Sequence, residues 1–174
     1  MKKDIKLYNI LFPIWLLWLF PSFWIIIVPI NLTIEVLVQY FSYKKLGVKD
    51  IKGNINASFL RVFLLGIVSD ALASLFLFLL VMTNSLIPTT GSLRIFAEKV
   101  YTGLMMNPFT NITSLLLIII AIAISTLVSY KLFIRYAFDK ANLDDEEIKY
   151  MSRKLAIFSA PYFMLIPTLA LFAI

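Results

Sequence analysis

The chain contains no cysteine and no histidine, only five glycines, and charged side chains at just 15% of its 174 residues. Without cysteine there can be no disulfide, iron–sulfur cluster, thiolate metal site or thiol nucleophile. Without histidine the commonest general base, the commonest metal ligand and the usual sensor of mild acid are missing. Gly47, Gly53, Gly66, Gly91 and Gly103 lie too far apart to build a glycine-rich phosphate loop. What the chain has instead is apolar surface, with 61% hydrophobic residues and a mean hydropathy of +0.91. A soluble domain is about half apolar and a quarter charged, so this composition points to an integral membrane protein.

A helix needs about 20 apolar residues to cross roughly 30 Å of hydrocarbon. Residues 57–82, 112–134 and 154–174 meet that length, the last interrupted by Pro161 and Pro167, where a kink and not a break is expected. Residues 22–43 are long enough as well, whereas 7–20 would reach only about 21 Å as a helix. Trp15, Trp18 and Trp24 flank Pro21, which is expected to place that turn at a membrane–water interface. Segment 7–20 is then either a short first span or a helix lying flat on the outer surface. No small-x-small cleavage site follows Phe20, so the basic start and apolar run read as an uncleaved anchor.

Charge distribution orients these segments. Loop 44–56, with Arg61 just beyond it, and the region 131–154 hold eleven of the sixteen basic residues, whereas 83–111 holds only Arg94 and Lys99. The positive-inside rule makes loops 44–56 and 135–153 cytoplasmic and 83–111 extracytoplasmic. Lys2, Lys3 and Lys6 favour an N-terminus inside, hence five spans with the C-terminus out. The net charge of +6 is crowded beside apolar segments, a pattern that suits anionic headgroups and not nucleic acid. The expected fold is therefore an all-α polytopic bundle of four or five spans forming one domain over 1–174.

Two connections carry structure of their own. Leu93, Phe96, Ala97, Val100, Tyr101 and Leu104 recur at helical spacing within 92–106, opposite Arg94, Glu98, Lys99 and Thr102, which predicts an amphipathic interfacial helix. Asn142 is placed to cap a second helix whose first turn holds Asp144, Asp145, Glu146 and Glu147, running on into the last span. That acidic run reads as capping and solvation.

Ionisable residues inside a membrane are costly, and two stand out. Glu35 shares a helix face with Asn31 and Gln39 at spacings of four, and Asp70 lies near the middle of 57–82 beside Ser69, with Ser74 one turn on. If their helices pack antiparallel, the two carboxyls come close enough to share a proton or a cation. The structural alternative is polar contact between helices. Gly66, Ser69, Asp70, Ala73 and Ser74 form a stripe of small residues suited to a tight seam, and Ser125, Ser129 and Tyr130 are placed to bond across helices. Arg61 or Lys131 would be near enough to answer Glu35.

Catalytic readings find little to work with. Serine and zinc proteases want histidine, and a carboxylate-pair enzyme would have Glu35 and Asp70 alone. Neither a cofactor nor a metal is expected. The first functional expectation is a protein that binds a membrane partner or a second copy of itself. The second is a proton- or cation-linked carrier or channel using Glu35 and Asp70.

The stretch Leu7-Tyr8-Asn9-Ile10-Leu11-Phe12-Pro13-Ile14-Trp15, with Trp18-Leu19-Phe20-Pro21, resembles small multi-pass membrane proteins of Gram-positive anaerobic bacteria. Phe158-Ser159-Ala160-Pro161-Tyr162 and Pro167 are similar to the same group. The resemblance implies a bacterial plasma membrane and brings no catalytic chemistry with it.

Overall fold

The computed structural model describes residues 15, 21–88, 90–139, 141, 143–168 and 170, without the side chains of 21–24 and 26. The rest of segment 7–20, together with Asn142 and residues 171–174, lies outside them. Among the described residues the regular structure is entirely helical: α1 (Pro21–Leu46), α2 (Ile51–Met82), α3 (Ser92–Met105), α4 (Ile112–Leu132) and α5 (Asp145–Phe158). Short 3-10 turns follow α2, α3 and α5, and a π turn over Phe133–Ala137 extends α4.

Local chemistry sets most of the boundaries. At the end of α1, Gly47 takes a positive φ of 73°, and Val48 N–H donates to Tyr43 O while Gly47 N–H donates to Lys44 O. That Schellman closure turns the chain back sharply, and Asp50 then caps α2 by accepting from Gly53 N–H at 2.9 Å. The result is an antiparallel α1–α2 hairpin. Asn111 caps α4 in the same manner through Thr113 N–H.

Helix α2 is the hub, packed on α1 along one side and α4 along another, while α5 lies against α1 and α4 and α3 lies against α4. The core has two centres. One gathers Tyr43, Val62, Phe133, Phe138, Met151 and Leu155 at the end where the basic loops meet. The other gathers Trp15, Leu77, Val100, Leu104, Ile118 and Met164 near α3.

Two helical stretches, Ile51–Leu86 and Ile112–Ala137, are long and apolar enough to cross a membrane. Only 22% and 33% of their most apolar windows are buried, so their side chains mostly face outward. They contain the expected 57–82 and 112–134 segments, the first lengthened because the Asp50 cap starts the helix early. Helix α3 matches 92–106, though it buries Ala97, Val100, Gly103 and Leu104 and leaves Leu93 and Phe96 exposed. Its contact face is narrower than the apolar spacing suggested because only its middle and end meet α4.

Two expectations are corrected. The acidic helix is capped by Asp144, not Asn142: Asp144 accepts from Glu147 N–H at 2.8 Å, and Glu147 accepts from Asp144 N–H at 3.0 Å. The stretch 154–174 does not form one kinked helix. Helix α5 ends at Phe158 and a 3-10 turn follows over Tyr162–Leu165, because Pro161 disfavours helical geometry at Ala160 and supplies no N–H. Thr168 then ties the chain to the end of α3, donating to Met106 O and Met105 O. Trp15 packs inward as well: it is 1% exposed, and its indole N–H donates to Leu104 O of α3 at 3.0 Å.

Replacing Trp15 by alanine removes the largest buried side chain of that core centre. The Trp15→Ala protein should lose about 3–5 kcal/mol, read as a clear fall in thermal midpoint in mild detergent. An unchanged midpoint would contradict the burial.

Candidate functional site

The α1–α2 hairpin brings the expected polar face of α1 onto α2. Gln39 Oε1 accepts from Ser58 Oγ at 2.7 Å, and four residues earlier Glu35 lies over Gly66. A methyl group on Gly66 would sit 3.1 Å from Glu35 Oε1, so the missing side chain forms the cradle for the carboxyl. Asp70 is one turn further along α2, close enough to interact electrostatically with Glu35. Its Oδ1 accepts from Ser125 Oγ of α4 at 2.6 Å. Two acids from antiparallel helices thus lie about one turn of α2 apart, Glu35 over Gly66 and Asp70 bonded to α4.

A cavity of about 40 Å³ opens beside Asp70, walled by Ile27, Val28, Phe63, Ile67 and Phe163 and polar only at Asn31 and Asp70. That admits a water-sized guest, for which about 10–15 Å³ of such volume suffices. A small cation or a hydronium fits the same room.

The other expected residues behave as helix–helix contacts. Ser69 Oγ donates to Leu65 O of its own helix and packs in the seam, while Ser74 Oγ donates to Trp15 O at 3.0 Å. Ser114 Oγ donates to Val100 O where α3 crosses α4, a crossing so close that only glycine fits at Gly103. The cations expected near Glu35 are elsewhere. Arg61 pairs with Asp139 at 3.3 Å because its long side chain reaches toward the polar end of α4, and Lys131 is exposed.

Among the described residues four buried polar atoms are left without a hydrogen-bond partner: Glu35 Oε2, Gln39 Nε2, Tyr43 Oη and Ser152 Oγ. Three of them belong to one face of α1 at successive turns. The Tyr43 hydroxyl lies beside Ser58 without bonding geometry. Each such atom costs about 1–3 kcal/mol, so their alignment marks a line along which polar capacity is held in reserve. Tyr43 was within reach of the sequence pattern, standing four residues after Gln39. Ser58 and Ser152 carried no comparable signal.

Ser125→Ala should cost about 0.6 kcal/mol, the usual worth of a hydrogen bond between membrane helices. Tyr43→Phe removes an unpartnered hydroxyl and should leave the thermal midpoint unchanged or raise it. A larger loss for Tyr43→Phe than for Ser125→Ala would contradict the hydrogen-bond assignment.

No family model, curated protein or solved structure matches this chain, and its chemistry is therefore read from its own side chains.

Proposed function

We propose that this is a multi-pass plasma-membrane protein, of bacterial origin by its resemblance, in which Glu35 and Asp70 bind a proton or small cation and couple it to solute or ion movement. The observation that carries the reading is the unpartnered Oε2 of Glu35, buried over Gly66 one turn of α2 from Asp70, which itself lines a small cavity. A carboxyl kept as structural contact would spend both oxygens on donors, as the serines of the seam spend theirs. Membrane embedding is supported by the outward apolar faces of α2 and α4. The clustering of Lys44, Lys45, Lys49, Lys131, Arg135 and Lys154 at one end supports a cytoplasmic orientation of that end. Four or five spans are few for a carrier, so the bundle would act as a subunit or homo-oligomer.

A second reading, binding of a membrane partner with no ion step, draws on the exposed Leu93, Ile95 and Phe96 at the opposite end. Flux decides between the two. In reconstituted vesicles the wild-type protein should dissipate an imposed pH or sodium gradient, and Glu35→Gln/Asp70→Asn should fall to the rate of protein-free vesicles. Equal flux from the double variant removes the first reading and leaves the second.

A further inference from the structure

A groove of about 440 Å³ runs between α1 and α5 toward the basic end of the bundle, and neither Glu35 nor Asp70 lines it. Its trough is formed by Leu37, Phe41 and Phe158, which are 48%, 62% and 56% exposed. Its polar end is formed by Lys45, Tyr150 and Lys154. The two ammonium groups flank one aromatic ring: Lys45 Nζ is 5.5 Å and Lys154 Nζ 5.9 Å from the centroid of Tyr150. Lys154 Nζ is also 5.7 Å from the ring of Phe158.

The ion pairs of the described residues join Arg61 to Asp139, Arg94 to Glu98 and Lys149 to Glu146. Neither Lys45 nor Lys154 takes part in one, so two positive charges are held together at the mouth of an apolar trough with only π faces to balance them. Cation–π contact orients an ammonium without neutralising it. Such a site lacks one negative charge at its polar end and an apolar chain along its length. Those are the two halves of a single amphiphile.

We propose that this groove binds one anionic phospholipid, its phosphate against Lys45 and Lys154 at the polar end and an acyl chain along Leu37, Phe41 and Phe158. A free phosphate would satisfy the charges but leave the trough empty. A zwitterionic lipid would fill the trough but bring its own cation to the lysines. The groove volume lies in the range of small-molecule sites, and basic pockets at the cytoplasmic ends of helices recognise acidic headgroups by this chemistry. The inference rests on membrane embedding and is independent of Glu35 and Asp70.

The test titrates the detergent-solubilised full chain with phosphatidylglycerol, phosphatidylcholine of the same chains, and inorganic phosphate, following binding by native mass spectrometry. Phosphatidylglycerol should bind at least about tenfold more tightly than phosphatidylcholine. Lys45→Gln/Lys154→Gln should weaken it by about thirtyfold, each lysine near a headgroup contributing about one charge interaction. Lys49→Gln/Lys52→Gln, which removes equal charge from the same end, should bind as wild type does, and Lys45→Arg/Lys154→Arg should retain binding. Equal loss in both glutamine variants would reduce the effect to general surface charge and overturn the site. So would equal affinity for the two lipids, or inorganic phosphate matching phosphatidylglycerol.

Discussion

Placing a carboxyl between apolar helices is costly unless its oxygens find donors, and Glu35 finds fewer than it can use. The surrounding architecture follows from accommodating it. The tight turn at Gly47 makes α1 and α2 antiparallel, so that Glu35 arrives opposite Gly66, where no side chain competes for the space. Asp70 follows one turn later and is tethered to α4 by Ser125. Three helices are thereby fixed around one pair of acids, and the small residues of α2 are what allow so close an approach.

Against that centre the remaining polar contacts have a different character. Ser74, Ser114 and Trp15 form hydrogen bonds that close completely and lie in apolar surroundings near α3. They hold elements together and offer nothing further. The unpartnered atoms fall instead on the side of the basic end, on Glu35, Gln39, Tyr43 and Ser152. The hydrogen bonds near α3 are thus closed, whereas unused hydrogen-bonding capacity leads from Glu35 toward the lysine-rich loops.

Much of this was legible in the sequence, and the exceptions have physical causes. The apolar runs at 57–82 and 112–134 located α2 and α4 because nothing polar competes within them, and spacings of four on α1 put Asn31, Glu35 and Gln39 on one face. Segment 154–174 misled because its hydropathy is that of a span while its backbone is governed by Pro161, which ends the helix irrespective of composition. The burial of Trp15 was not legible because it depends on Leu104, a residue 89 positions away. The pairing of Arg61 with Asp139 was equally invisible, since no local pattern reports which long-range partner a flexible cation reaches.

The central claim is that Glu35 and Asp70 act as one coupled site and not as two separate polar contacts. A double-mutant cycle on thermal stability at fixed pH, using Glu35→Gln, Asp70→Asn and the double variant, tests it most directly. Coupled acids should give an interaction energy above about 1 kcal/mol, as contacting groups in one network do. Additivity within about 0.5 kcal/mol, the behaviour of independent positions, would contradict the account.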